Sequence, residues 1–226
     1  MIGFSMNGLL KYYASPVGRK VLMAVTGFFL FSFLCIHLYM NLFLFLGDGG
    51  GTFDTYAEFM ATYPLLRPIE IILFLGFALH ALTGIILWYC NRRVRPIGYA
   101  VDNTGKRTTF SSRIVVYTGA VVLLFLAWHI KGFFIQSRFI DTDKSMYRLV
   151  SDTFLNKWTV ALYLLSLIFL GFHLKHAFQS AFQTLGIRLV KYQSLIDLIA
   201  IIFWLVFPLL FAAIPVYFFC LSKGWI

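Results

Sequence analysis

Five apolar segments constrain this chain more than any other feature. A helix that crosses the ~30 Å hydrocarbon core of a bilayer needs about 20 mainly apolar residues. Stretches at 21–46, 69–90, 114–130, 158–174 and 198–221 have that character. Hydrophobic residues make up 60% and charged residues 12% of the 226 positions, a balance far from that of soluble domains. Because lipid offers no partner to a backbone N–H or C=O, a spanning segment must pair its own, as a helix does. The reading is an all-α integral membrane protein, one transmembrane domain over 1–226, with helices over about 21–46, 68–90, 113–136, 155–182 and 195–221. No loop is long enough for a further domain. The first twenty residues lack the charged region, apolar core and small-residue site of a signal peptide in that order, and are expected to remain as a lead-in on the inner side.

Charge sets the expected orientation. With the N-terminus inside, the inner segments carry eleven basic residues (Lys11, Arg19, Lys20, Arg92, Arg93, Arg95, Lys106, Arg107, Arg113, Arg188 and Lys191) against Asp102 alone. In the outer segments, Arg67, Lys131, Arg138, Lys144, Arg148, Lys157 and Lys223 are balanced by Asp48, Asp54, Glu58, Glu70, Asp141, Asp143 and Asp152. Lysine and arginine bias in short loops places the basic side in the cytoplasm, so the C-terminus is expected outside. The net charge of +10 is then a one-sided surface, suited to anionic headgroups or an acidic protein partner and no evidence for nucleic acid. The long inner loop over 91–113 serves either as a docking surface or simply as a topology determinant.

Four of the five apolar segments each carry one histidine: His37, His80, His129 and His173. A polar group buried without a partner costs roughly 2–7 kcal/mol, so each imidazole requires a hydrogen bond or a metal. At ~1.5 Å per residue, His37 and His129 lie roughly 24–26 Å from the inner boundary, and His80 roughly 18 Å. His173 is near the inward end of its segment. They sort into an outer pair, His37 with His129, and an inner pair, His80 with His173. Imidazole on both faces of a haem iron gives a six-coordinate electron-transfer centre, and four helices around such groups form a bundle that supplies ligands from its interior. Two haem b groups, one per pair, are the expectation, with the fifth helix packed outside.

Other readings stay open beside it. Intramembrane histidines also serve as hydrogen-bonded core residues or as proton relays in a haem-free transporter. A di-iron site is disfavoured, since these segments hold isolated histidines with almost no carboxylate. Gly27 and Gly119, each ten residues before an outer histidine, fall near the depth of the inner pair, where a missing side chain admits a macrocycle or merely tightens helix packing. Gly84 is equally ambiguous. His176, one turn beyond His173, and Lys175 either contact a haem propionate or snorkel to the interface. Cys35, Cys90 and Cys220 show no CxxC or CxxCH spacing, which argues against disulfides, thiolate metal sites and covalent haem.

The runs HLYMN (37–41), FALHALTG (77–84), LAWH (126–129) and HLKHAFQSAFQTLG (173–186) resemble the di-haem cytochrome b subunit of succinate:quinone oxidoreductases, most closely the Bacteroidetes-type succinate dehydrogenase/fumarate reductase subunit. The resemblance covers essentially the whole chain. It implies a bacterial inner-membrane anchor beneath a FAD-containing flavoprotein subunit and an iron–sulfur subunit on the cytoplasmic face, with a homodimer of heterotrimers as an assembly it admits. It assigns His37 and His129 to a distal haem and His80 and His173 to a proximal one, with electrons passing between the iron–sulfur subunit and a membrane quinone, menaquinone by analogy. A quinone also exchanges protons, and Glu70 and Glu58 at the outer end are candidates. An acid in the first turn of a helix is favoured by the dipole in any case. Some fumarate reductases carry an acidic residue two positions before the helix-four ligand, where this chain has Gly171, which puts that proton route in doubt here. A cytochrome b of hydrogenase or formate dehydrogenase type is the nearest competing reading; such a subunit docks its partner outside, against the charge bias.

Overall fold

A computed structural model describes Tyr13 and residues 15–94, 110–187 and 192–226. Of the stretch expected as a loop over 91–113, residues 91–94 and 110–113 are helical and the rest lies outside the described residues, as do Lys11, Arg188 and Lys191. Among the described residues there is no strand, and five helical spans are long and apolar enough to cross a membrane: Pro16–Phe45, Leu66–Arg93, Ile114–Ile140, Lys157–Thr184 and Gln193–Ser222.

The first span is α1 (Pro16–Leu42), prolonged by a 3₁₀ turn. Ser15 caps it, accepting a hydrogen bond from the Gly18 N–H, and Pro16 fits the first turn, where no intrahelical donor is needed. A short α2 (Gly51–Thr62) leads to the second span, α3 (Leu66–Val94). The third span is α4 (Phe110–His129), which widens into a π-helix over Ile130–Ile140. After α5 (Met146–Thr153) comes α6 (Lys157–Thr184), capped by Asn156. The last span joins α7 (Gln193–Ile201) to α8 (Phe207–Ser222) through a π turn at Ile202–Val206.

The first four spans close into a ring in which α1 packs on α3 and α6, α4 packs closely on α6, and α3 and α4 touch more sparsely. The fifth span lies against α6 and α1. α2 and α5 meet each other, and the Tyr147 N–H donates to Asp54 Oδ1 at 2.7 Å. One follows the first span and the other precedes the fourth, so their contact places all four adjoining helix ends on one side and makes successive spans antiparallel. The main apolar core gathers at that end, where Leu44, Phe53, Val150, Phe154, Val160, Tyr163, Ile214 and Phe218 pack together. A smaller cluster of Phe178, Ile196 and Ala200 closes the other end. The outward faces carry exposed Leu, Ile, Val and aromatic side chains along every span, the surface a lipid solvent favours.

Proline shapes the fifth span. Pro208 lacks the N–H that would bond the carbonyl four residues earlier, which is that of Trp204, and the π turn falls over this stretch. The released Trp204 carbonyl meets α6 at Gly171, where a Cβ would stand 2.8 Å from the Trp204 oxygen. The absence of a side chain at 171 is therefore a packing requirement of the fifth span.

Candidate functional site: two histidine pairs

His37, His80, His129 and His173 each have one histidine neighbour from across the ring. The His37 and His129 rings are 6.0 Å apart between centroids and nearly perpendicular, at 87°. The His80 and His173 rings are 6.4 Å apart at 79°. α1 and α4 supply the first pair, α3 and α6 the second. Their levels follow from two glycines. A Cβ at Gly27 would lie 3.6 Å from His80 Cε1, and one at Gly119 would lie 3.3 Å from His173 Cε1. Gly27 on α1 thus marks the level of one histidine and Gly119 on α4 that of its partner. His37 and His129 each follow their glycine by ten residues, so both helices put the two pairs about 15 Å apart along the bundle.

The ring nitrogens are held unequally. Thr26 Oγ1 lies 3.0 Å from His80 Nδ1, and the Tyr163 hydroxyl lies 3.1 Å from His129 Nδ1. Asn41 Nδ2 is 3.4 Å from His37 Nδ1 but 2.7 Å from the His37 carbonyl, which takes its better hydrogen bond. The buried Nδ1 of His173 makes no hydrogen bond of normal geometry.

Aromatic side chains wall the 37/129 pair. Phe33 stacks on His37, Phe211 of the fifth span lies 5.7 Å from it, and Phe125, Phe133 and Tyr163 surround His129. Gly27, Gly119 and the hydroxyl-bearing Thr26 lie against the 80/173 pair, and Thr83 and Thr118, close in sequence to His80 and Gly119, are buried. Thr83, three residues after His80, is fully buried with an unpartnered hydroxyl.

These residues fit a bis-imidazole metal centre. Two imidazole nitrogens, each about 2 Å from a shared metal, set ring centres about 6 Å apart, the spacing of both pairs. Metal-binding imidazoles characteristically use the second ring nitrogen for an outer hydrogen bond, and the contacts at His80 and His129 have that form. Among the described residues no three His, Cys, Asp or Glu side chains gather as a metal cluster, so the chemistry present is that of isolated pairs.

The remaining candidates lie elsewhere. Glu70, half-buried at the start of α3, is paired with Arg67 at 2.5 Å, and Arg67 also donates to the carbonyls of Met60 and Ala61. Glu58 is exposed on α2. Lys175 holds its ammonium over the Trp204 ring, 4.4 Å from the centroid, on the side of α6 that faces the fifth span. His176 is half-buried one turn beyond His173. Gly84 meets the Met23 side chain at the α1–α3 contact, and Gly76 packs against Phe29 there, so both serve helix approach. Sequence reasoning missed Thr26 and Tyr163, whose only signal was a hydroxyl on an otherwise apolar helix. Neither a family model nor a curated protein nor a solved structure matches this chain.

Proposed function

We propose that this chain is the di-haem cytochrome b membrane subunit of a succinate:quinone oxidoreductase or quinol:fumarate reductase in a bacterial inner membrane. The observation that carries the reading is the geometry of the histidines: two pairs, each with its ring centres at the spacing two imidazoles take about one shared metal, stacked about 15 Å from each other inside a ring of four helices. His37 and His129 would hold one haem b, and His80 and His173 the other. When bound there, haem supplies a one-electron carrier with both axial positions filled, a centre for electron transfer rather than oxygen binding.

The chain's own contribution is to space and dry these sites. Gly119 leaves room beside His173, whose ring a Cβ would crowd at 3.3 Å, while at Gly27 a Cβ would just reach ordinary contact with His80 at 3.6 Å. Phe33, Phe125, Phe133 and Phe211 keep the 37/129 pair in apolar surroundings. The basic face, read as cytoplasmic with the N-terminus, would receive the iron–sulfur and flavoprotein subunits, which hold the dicarboxylate chemistry. Menaquinone would react near the 37/129 pair at the α2/α5 end. Of the two candidate glutamates there, Glu58 is open to water for proton exchange, whereas Glu70 is engaged by Arg67.

Purification in mild detergent tests the reading. A pyridine haemochrome assay should find two b haems per chain, and a flavinylated subunit and an iron–sulfur subunit should co-purify. A haem-free chain would support the transporter reading instead. Salt or chaotrope should strip the soluble subunits from inside-out vesicles and not from spheroplasts; the opposite result would reverse the orientation.

A further inference from the structure

Thr26 has a hydrogen-bonding pattern that favours one tautomer of His80. Its Oγ1 lies 2.8 Å from the Leu22 carbonyl and 3.2 Å from the Met23 carbonyl, both in its own helix. A hydroxyl has one proton to donate and lone pairs to accept with. With the proton committed to α1, only a lone pair remains for His80 Nδ1 at 3.0 Å. In that arrangement His80 carries its proton on Nδ1, which leaves Nε2 with a bare lone pair. Thr26 is 7% exposed, so water does not compete for this contact. No equivalent constraint acts at the other pair, because the Tyr163 phenol can accept from His129 or donate to it.

We infer that Thr26 is a positioning residue that fixes the His80 tautomer for metal ligation and raises the basicity of Nε2 through the Nδ1–H···O bond. The inference rests on the bis-histidine reading. It extends that reading to a residue on a different helix from the ligand it serves. Outer partners of this kind fix ring orientation and raise ligand basicity, and a more basic ligand favours the oxidised metal.

The test is redox titration of the purified complex carrying Thr26→Val, which keeps the shape and removes the hydroxyl, beside Thr26→Ser, which keeps the hydroxyl. The expected result is that valine moves one of the two haem midpoint potentials upward and leaves the other in place, while serine retains the wild-type values. If valine instead releases one haem, retention of both haems by serine supports the role. Loss from both variants overturns it. Unchanged potentials with valine, or an equal shift with serine, also overturn it. Should the valine variant not accumulate, Thr26→Ala against Thr26→Ser is read in the same way, and failure of alanine and serine alike counts against the hydroxyl. A wild-type protein with fewer than two b haems defeats the underlying reading, whereas two haems with insensitive potentials defeat only the role of Thr26.

Discussion

At the scale of the residue, glycine decides how closely the helices approach. Gly171 sits directly beneath the Trp204 carbonyl, and a backbone oxygen cannot swing aside as a flexible side chain can. Gly171→Ala should force the fifth span away from α6 and destabilise the protein by about 1–3 kcal/mol, as overpacked cores do. Thermal unfolding in detergent measures this; an unchanged Tm would show that the fifth span is free to slide. The histidines could be read from the sequence because four imidazoles, one in each of four apolar runs and at two consistent depths, call for a common explanation. Their partners could not. Thr26 lies in a segment where a β-branched residue causes no remark, and Tyr163 meets His129 only through the packing of α6 on α4. Gly171 was legible as a departure from a family pattern, while its cause required the course of a different helix.

At the scale of the element, the short helices α2 and α5 show how local chemistry builds the cap over one end. Asp48 accepts from the N–H groups of Gly50 and Thr52, closing the turn into α2. The Thr52 hydroxyl and N–H, joined by the Gly50 N–H, hold the Asp48 carboxyl below its usual range. A group whose folded pKa is depressed stabilises the fold above its unfolded pKa, about 3.9 for Asp, and loses that contribution as pH falls through the folded value. Acidification below about pH 4 should therefore loosen the start of α2. Amide exchange across Gly50–Thr52, corrected for intrinsic rates, reads the change, and Asp48→Asn should remove its pH dependence. A wild-type profile in that variant would assign the effect to another group. Gly50 adopts φ +90°, and its bare Cα receives the Tyr147 ring, which a Cβ would overlap at 2.2 Å. The five spans were legible from their length and apolarity. α2 and α5 were not, because each is short and half polar, and takes its stability from the other. The π-helix after His129 has no proline to announce it, whereas the π turn before Pro208 had such a signal.

At the scale of the whole molecule, the two halves of the ring are built to one plan. His37 and His80 are 43 residues apart, His129 and His173 are 44, and in each half a glycine ten residues before the first histidine faces the second. Each half also places a short helix, α2 or α5, between its two spans. The antiparallel course of the spans was implicit in their number and short connections, but the closure of the ring through α1 and α6 depends on side-chain fit that no local pattern records. The pairing crosses between halves: His37 of the first meets His129 of the second, and His80 meets His173. Neither half therefore owns a complete pair. If the chain is severed within residues 95–109 and its fragments are expressed separately, the proposed di-haem reading predicts a six-coordinate b haem in neither; expressed together they should form both, which low-spin optical spectra would report. A haem held by one fragment alone with two histidine ligands would contradict the cross-pairing. Because each pair straddles the seam, a haem bound as proposed would make its insertion a proofreading step for assembly: a chain whose halves dock out of register would offer no pair of imidazoles at either level.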